Sequence, residues 1–467
     1  MNFRALHPNI KLRLGVGFVQ RLLGIMLMPL MVIHLAALYG AAAAGVLTLV
    51  VAAAGIASNF LGGHLADVYG RKPLMVAGEV GAALTFGLLA LANSPWWQSG
   101  AVTFVLFLLN TCLASAATPA AEAMMIDVST PENRNFVYTV NYWSINLAFT
   151  AGALIGGFFY GEHFTLLLTA AAALSAATAL VTWWWIAESA PESAKDQAAG
   201  IPAMLRGYLA VSRDRVFLRL LAAATFSRAI EVQIGYYIAV RLADDFPEQA
   251  LAGLDRWFPA VDGVAMLGIL RAVNTALIVV FALFAGSMFR RLPDRVRLYA
   301  GLTVFTAGYM VLAVSNSGWV LIAAAVLLTV GEIANVPVKQ ALLADLVDPA
   351  SRTKYLAAYG LNARIGLLIG SLCVTVGAFL SPVGMSLLYA AFGLGAILVY
   401  RSLLPLRDAR QAAAEQAAAA SEQGRAAAEQ GGAAAEPEYD GAPSEQNTAD
   451  AQPARPVAAS ARNGATS

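Results

Sequence analysis

The chain has 467 residues, of which 59% are hydrophobic and 13% are charged, and its net charge is +1. A water-soluble domain of this length carries more charge and less apolar sequence, so the composition indicates a membrane protein. The near-neutral net charge gives no reason to expect nucleic acid as a partner.

The sequence lacks the motifs that indicate an enzyme or a metal site. It has no Cys/His cluster with metal-ligand spacing, no G-x-S-x-G motif and no P-loop. Its two cysteines, Cys112 and Cys373, both fall in apolar segments, which favours free thiols over a disulfide framework. We therefore expect no enzymatic activity and no cofactor.

Twelve apolar segments are long enough to cross a bilayer. About 30 Å of hydrocarbon requires roughly 20 helical residues. Each segment is a continuous apolar run, which is typical of a helix and not of a barrel strand. We predict an all-α membrane protein with twelve transmembrane helices. The predicted spans cover residues 14–38, 43–66, 73–93, 99–126, 136–160, 164–187, 216–242, 264–289, 296–315, 319–343, 355–380 and 383–404.

The basic residues lie almost entirely on one side of these spans. Arg71, Lys72 and Arg134 are in loops of that side, whereas the opposite loops contain Arg256 and little else. Lys and Arg mark cytoplasmic loops because they resist translocation. We therefore predict a multi-pass protein of the cell membrane, with both termini cytoplasmic and the loop at about 244–263 outside.

Composition also divides the chain. A polar, charged segment separates the spans six and six, and after Leu404 the sequence becomes rich in Ala, Glu, Gln, Gly and Pro. Residues 410–430 of this tail have a partly helical character, and the remainder is too polar to offset the entropy of ordering. The predicted parts are an N-terminal six-helix half over 1–190, a cytoplasmic central loop over 191–215, a C-terminal six-helix half over 216–405 and a disordered cytoplasmic tail over 406–467.

An internal repeat supports two related halves. When the sequence is shifted so that Asp127 falls on Asp345, five residues in or near spans four and five match residues in or near spans ten and eleven. Several matches at one offset indicate duplication, which predicts two pseudo-symmetric six-helix bundles. The matching pairs are Pro119 with Pro337, Asp127 with Asp345, Pro131 with Pro349, Arg134 with Arg352 and Gly152 with Gly370.

The sequence GGHLADVYGRKP, residues 62–73, forms a charged hinge between spans two and three. Arg71 and Lys72 hold the turn on the cytoplasmic side. The Asp67 carboxylate is able to accept hydrogen bonds at the N-terminus of a neighbouring helix, where the helix dipole favours an anion. Gly63 and Gly70 permit close backbone approach and unusual dihedral angles.

The pattern G-x-L-A-D-x-x-G-R-K, beginning at Gly63, resembles the hinge signature of the major facilitator superfamily. The resemblance covers about residues 10–405. Further stretches resemble its drug:proton antiporter branch, to which lactococcal multidrug antiporters belong. They are Ile126-Asp127-Val128-Ser129, Glu132-Asn133-Arg134, Tyr142-Trp143, Asn146-Leu147, Gly152-Ala153 and Gly331-Glu332.

This resemblance implies proton-coupling roles for Asp67, Asp127 and Glu332. It also implies a cytoplasmic hinge made of Gly63, Asp67, Gly70, Arg71, Lys72 and Arg134. The sequence departs from the antiporter pattern in span five. Asn141 replaces an acidic residue there, and Ala153 stands at the position of a proline.

Ionisable side chains within a span are functional candidates, because an unpaired charge in the membrane is costly. Arg228 and Glu231 are three residues apart and are expected to pair. An ion pair between helices is the alternative for each candidate, and for Glu79 we favour that structural role. The candidate substrate-cavity residues are Arg21, Glu122, Asn141, Tyr142, Asn146, Glu231, Arg271, Glu332 and Arg364.

The resemblance therefore implies a proton-coupled exporter of small amphipathic compounds that works by alternating access. The expected partners are the lipid bilayer, protons and the small-molecule substrate, and we expect a monomer. In this hypothesis Arg71 pairs with Asp127, and Asp67 caps the N-terminus of span eleven. Protonation of Asp127 weakens its pair with Arg71.

Two alternatives remain at this point. The mixed Arg and Glu content of the spans also suits a proton-driven importer of peptides, sugars or other metabolites. A sensor or assembly protein that spans the membrane without transporting a substrate is the second alternative. An exporter moves substrate against protons, an importer moves both together, and a sensor moves neither.

Overall fold

The computed structural model describes residues 6, 8–161, 163–189, 213–251, 253, 260–281, 291–346, 355 and 358–433. Within this part the protein is predominantly helical, as predicted. Most of the predicted central loop, together with Arg256 and Arg352, lies outside the described residues.

The first six helices are connected by short segments. Their bounds are α1 Pro8–Tyr39, α2 Ala41–Tyr69, α3 Arg71–Ala92, α4 Gly100–Asp127, α5 Pro131–Phe159 and α6 Phe164–Trp185. Between α3 and α4 the chain forms a small antiparallel hairpin that the sequence did not predict. Its strands are β1 Asn93–Ser94 and β2 Trp97–Gln98.

The helices after the central loop are less regular. Their bounds are α7 Arg215–Glu231, α8 Tyr237–Asp245, α9 Gly263–Phe281, α10 Asp294–Leu312, α11 Gly318–Leu346, α12 Leu361–Gly377 and α13 Pro382–Ala433. The partly helical character predicted for residues 410–430 is confirmed, because α13 includes them. A compact unit covers the chain up to Arg407, and a second unit starts at Asp408.

Eight of these helices are long and apolar enough to cross a membrane. Two shorter apolar helical segments, Trp143–Phe159 and Leu361–Gly377, add to them in the described part of the chain. Charged residues shorten the apolar stretches of α7 and α10, which begin RVFLR and DRVR. The exact count of twelve spans therefore stays a prediction.

Predicted span seven is not one continuous helix. It divides into α7, a 3₁₀ turn at Val232–Gly235 and α8, which begins at Tyr237. Tyr236 has the non-helical dihedral angles φ −125° and ψ −104°. The apolar sequence did not reveal this break, because hydropathy is unaffected by a change of backbone direction. Broken helices at membrane depth are typical of transporter binding sites.

Close glycine contacts join the N-terminal and C-terminal helices at the end of the molecule opposite the hinge. A Cβ atom on Gly157 of α5 would lie 2.8 Å from the Val264 carbonyl oxygen of α9. One on Gly268 of α9 would lie 2.6 Å from the Ala153 carbonyl oxygen. The two backbones therefore touch, and α2 approaches α12 similarly, with the Thr375 hydroxyl donating to the Ala42 carbonyl at 3.0 Å. We call this end of the molecule the far end.

Candidate functional site

The hinge joins α2 to α3 through a single residue. Gly70 has φ +98°, a backbone conformation that residues with a side chain rarely adopt, and this is the kind of unusual dihedral angle predicted for it. The close approach predicted at Gly63 is wrong, because a Cβ there would meet only ordinary contact at 3.9 Å. Gly62 makes the close approach instead. A Cβ atom on it would lie 2.6 Å from the Ala116 Cα of α4.

Arg71 is the centre of the hinge interactions. Its side chain is buried, and its Nη1 atom donates to the Ala66 carbonyl at 2.9 Å and to Asp67 Oδ1 at 2.8 Å. Its Nε atom lies 3.5 Å from Asp127 Oδ2 at the end of α4. The predicted pair of Arg71 and Asp127 is therefore present. Two partly exposed carboxylates thus compensate the charge of this buried guanidinium, and removing either of them would leave it less well paired.

Asp67 points to Arg71, which is its ion-pair partner in the described structure. Its predicted second role was to cap the N-terminus of span eleven. Residues 347–354 and 356–357, which precede α12, lie outside the described residues. The cap therefore stays a prediction. The side chain of Arg134, another predicted hinge residue, is likewise not described.

The hinge has a further partner that the sequence did not reveal. Glu188, just after α6, accepts hydrogen bonds from the backbone N–H of Arg71 at 3.1 Å and of Lys72 at 3.0 Å. A carboxylate at this position satisfies free N–H groups of α3 and complements its dipole. The neighbouring Ser189 donates its hydroxyl to Asp127 Oδ2 at 3.2 Å. These contacts join residues that are far apart in sequence, so a local sequence motif could not predict them.

A first cavity, of about 540 Å³, lies among α1, α3, α4, α5 and α6. It includes three predicted cavity residues, Arg21, Glu122 and Asn141. Arg21 Nη1 donates to Asn141 Oδ1 at 2.9 Å. Asn141 thus supplies a neutral acceptor to the guanidinium of Arg21. Glu122 is exposed to the cavity, and its carboxylate is available to a ligand.

Glu79 and Arg13 also line the first cavity, although the sequence favoured a structural role for Glu79. Gln20 Nε2 of α1 donates to Glu79 Oε1 of α3 at 2.5 Å. The first cavity therefore contains two acidic and two basic side chains among its lining residues. Glu79 was not predicted as a cavity residue because, in the middle of span three, a structural ion pair was favoured for it. Arg13 was missed because it lies just before predicted span one, where a basic residue is common.

A second cavity, of about 330 Å³, lies between α1 and α5 on one side and α7, α9 and α12 on the other. The broken part of span seven contributes to its wall. Two predicted residues, Glu231 and Arg271, line it. The predicted pair of Arg228 and Glu231 is confirmed, with Nη1 and Oε1 2.5 Å apart. Arg271 lies over the ring of Phe149, 5.9 Å from its centroid.

Glu332 lies on α11 and lines neither of these two cavities. Asn274 of α9 donates to Glu332 Oε2 at 3.0 Å and to Thr329 Oγ1 at 2.9 Å. Lys339, further along α11, donates to Ser227 Oγ of α7 at 3.1 Å. Glu332 is thus held by a neutral amide, and its proton-coupling role stays a prediction.

The remaining predicted residues are located elsewhere. Arg364 of α12 donates to Asn59 Oδ1 of α2 at 2.5 Å and lies 5.0 Å from the ring centroid of Phe60. It connects two helices and lines neither cavity. Asn146 also lines neither cavity, and the side chain of Tyr142 is not described. The structure therefore places five of the predicted substrate residues at two cavities, and two others, Glu332 and Arg364, in contacts between helices.

The sequence profile described as Major Facilitator Superfamily matches residues 14–314 and 260–436. The chain belongs to the major facilitator superfamily. It is accordingly an integral, multi-pass membrane transporter and not an enzyme. This result confirms the family that the hinge pattern indicated.

Two relatives of the chain carry different names. A Na(+), Li(+), K(+)/H(+) antiporter of Planococcus maritimus is 26% identical over 422 residues, which is 88% of this chain and 100% of that protein. The multidrug resistance protein MdtH of Sodalis glossinidius is 25% identical over 314 residues, covering 67% of this chain and 70% of that protein.

Solved structures support the same fold. A peptide transporter bound to alafosfalin has a TM-score of 0.64 at 18% identity, covering 87% of this chain and 95% of that one. The nucleoside transporter NupG has a TM-score of 0.63 at 15% identity, covering 85% and 99%. At these identities the likeness shows the transporter fold alone.

Proposed function

We propose that the protein is a proton-coupled antiporter of the drug:proton branch, which exports small amphipathic compounds. The observation that carries the proposal is the contact between Arg71 and Asp127 at the hinge. The Asp127 side chain is one quarter exposed, so protons reach it from water. Protonation removes its charge and weakens the contact, which couples the hinge to the proton gradient.

The two cavities and the far-end packing support alternating access. We infer that the two six-helix halves rock about the contacts of α5 with α9 and of α2 with α12. In this mechanism the described state is closed on the outside, and the hinge faces the cytoplasm with both chain termini. The first cavity, at about 540 Å³, has room for a drug-sized molecule.

A second candidate function is the exchange of alkali-metal cations for protons. The relative from Planococcus maritimus carries that activity in its name and aligns over 100% of its length. Carboxylates such as Glu122 and Glu79 are suitable ligands for a hard cation as well as for an organic one. The two candidates share proton antiport and differ in the substrate.

Uptake into proteoliposomes under a pH gradient tests the proposal and separates the candidates. Vesicles with an acidic lumen receive labelled tetraphenylphosphonium, sodium or a dipeptide from outside. Antiport accumulates the probe because protons leave as it enters. We expect accumulation of tetraphenylphosphonium, and accumulation of sodium alone would favour the second candidate.

Two controls make the result specific. Protein-free vesicles give the passive permeation of the lipophilic cation, and vesicles with Asp127→Asn give the uncoupled protein. Accumulation of the dipeptide when the outside is acidic indicates an importer. A protein that accumulates none of the probes in either gradient contradicts the proposed function.

A further inference from the structure

The acidic residues at the ends of α4 and α11 make corresponding contacts. Asp127 of α4 and Asp345 of α11 match in the internal repeat, and the same offset places Ser189, just after α6, on Arg407 of α13. Ser189 donates its hydroxyl to Asp127 Oδ2 at 3.2 Å. Arg407 Nη1 lies 3.6 Å from Asp345 Oδ2. The repeat therefore makes one contact twice, with a neutral partner in the first copy and a charged partner in the second.

The apolar packing behind these two contacts follows the same offset. Three buried residues of a cluster beside the hinge match three buried residues of a second cluster among the later helices. The end of α11 thus shares a buried cluster with α13, as the end of α4 does with the segment after α6. The matching pairs are Ala120 with Val338, Met124 with Leu342 and Ile186 with Leu404.

The positive charge near each aspartate comes from a different part of the chain. Asp127 is in contact with Arg71 of the hinge. At the repeat offset the residue that corresponds to Arg71 is Phe289, which carries no charge. Asp345 forms its ion pair with Arg407, the last residue of the larger compact unit. The cation is therefore in the hinge in the first copy and in α13 in the second.

A proline precedes each aspartate in the same helix. Pro119 lies within α4 and Pro337 within α11, and each removes one backbone hydrogen bond of its helix. The aspartate follows about two helical turns later. Helices kink most readily at proline, so residues 338–346 of α11 need side-chain contacts to keep their position. The contact with Arg407 lies near the end of this segment.

We infer that Arg407 is a positioning residue of the transport cycle, which holds residues 338–346 against α13 through Asp345. The inference rests on the proposed alternating-access function. The two side chains are 22% and 37% exposed, and an ion pair of this kind adds little to global stability, so its effect is local. With the pair intact, the end of α11 moves together with α13. Without it, the segment bends at Pro337 and turnover slows.

Hydrogen exchange of the purified full-length protein tests the positioning. Arg407→Ala should raise amide exchange in residues 338–346 several-fold, because this segment opens locally more often, and should leave residues 120–127 unchanged. Arg71→Ala should have the opposite pattern. Arg401→Ala is the matched control, since it removes an exposed basic residue from the same helix, and it should change neither segment.

Initial rates of uptake into proteoliposomes test the role in transport, with tetraphenylphosphonium as the probe, or sodium if that is the ion transported. Arg407→Ala and Asp345→Asn should each lower the maximal rate several-fold. The half-saturating concentration should stay unchanged, because neither residue lines a described cavity. The exchanged pair, Arg407→Asp with Asp345→Arg, should restore the rate and the slow amide exchange, which a residue that acts independently of its partner would not do.

The outcomes separate this inference from the proposed function. Wild-type exchange and a wild-type maximal rate in Arg407→Ala would overturn it, and faster exchange with a normal rate would reject the role in transport. If Arg290→Ala has these effects and Arg407→Ala does not, the second cation belongs to the hinge and the inference is wrong. If Arg407→Ala fails to insert, Asp345→Asn and the exchanged pair decide by the same criteria. Absence of uptake by wild-type protein rejects the proposed function, whereas the exchange measurement still decides the positioning.

Discussion

The Nε atom of Arg71 lies 3.5 Å from Oδ2 of Asp127, so the turn between α2 and α3 is held against the end of α4. Ser189 donates to the same carboxylate oxygen, and Glu188 binds the backbone of the turn. Four segments of the chain therefore meet at one small polar cluster. In the proposed mechanism this cluster is the part of the protein where a proton changes the packing of helices.

Removal of the Asp127 charge should uncouple transport. Asp127→Asn imitates the protonated state, and losing a charge-assisted contact of about 1.5 kcal/mol changes an equilibrium roughly tenfold. Uptake driven by a pH gradient should fall by about that factor or more, while downhill movement of the substrate persists. Arg71→Ala should behave similarly.

The double variant gives the control for this prediction. If Arg71 and Asp127 act as a pair, Asp127→Asn combined with Arg71→Ala should be little worse than either single change. Normal gradient-driven uptake with an intact pH dependence in Asp127→Asn would remove this residue from the mechanism. Glu332 would then be the principal candidate of the three predicted coupling residues.

The contact of Glu188 with the start of α3 should stabilise the fold. Loss of a helix N-terminal cap costs about 1 kcal/mol, so Glu188→Ala should lower the melting temperature of the detergent-solubilised protein. Glu248→Ala is a suitable comparison because Glu248 is exposed in the loop after α8. Equal melting temperatures for the two variants would show that the cap contributes nothing measurable.

The glycine contacts at the far end should be sensitive to added volume. Gly157→Val places a side chain against the backbone of α9, and overpacking of this kind costs about 1–3 kcal/mol. Because the contact belongs to the state closed at the far end, the variant should favour opening there. Accessibility of a cysteine at Ala153 to an impermeant maleimide should rise.

Gly161→Val is the matched control, since a Cβ atom on Gly161 would meet no atom within 4 Å among the described residues beyond its chain neighbours. It should leave both the labelling at residue 153 and the uptake near wild-type values. Unchanged labelling in Gly157→Val would mean that the contact of α5 with α9 does not hold the far end closed.

The orientation in the membrane is open to direct measurement. A cysteine replacing Gly253, in the loop predicted to lie outside, should react with an impermeant reagent applied to intact cells. A cysteine replacing Val68, beside the hinge, should react only after the cells are opened. The opposite pattern would invert the predicted topology.

The sequence was most informative where one short segment determines the structure. The hinge could be predicted because Gly70 and Arg71 act within a few residues of each other. The contact of Arg71 with Asp127 followed only from the family resemblance, since distance along the chain conceals it. The role of Glu188 could not be predicted for the same reason. Arg71 and Lys72, whose backbone N–H groups it binds, are far from it along the chain.

For the cavities too, some lining residues could be predicted from the local sequence and others could not. Arg21 and Glu122 were identified because a charge in an apolar span is conspicuous, and both line the first cavity. Neighbours such as Gln20 and Arg13 are inconspicuous in sequence and become informative only through burial and packing. The break at Tyr236 was missed because hydropathy reports the surroundings of a helix and not its backbone geometry.

The central claim, proton antiport, is tested most directly by the sign of the proton movement that a substrate causes. Proteoliposomes with a pH-sensitive dye in the lumen and a clamped membrane potential receive tetraphenylphosphonium or sodium from outside. Proton antiport predicts that the lumen becomes more alkaline as the cation enters, beyond the change in protein-free vesicles, and that Asp127→Asn abolishes this response. A lumen that becomes more acidic, or does not respond to any cation, would contradict it.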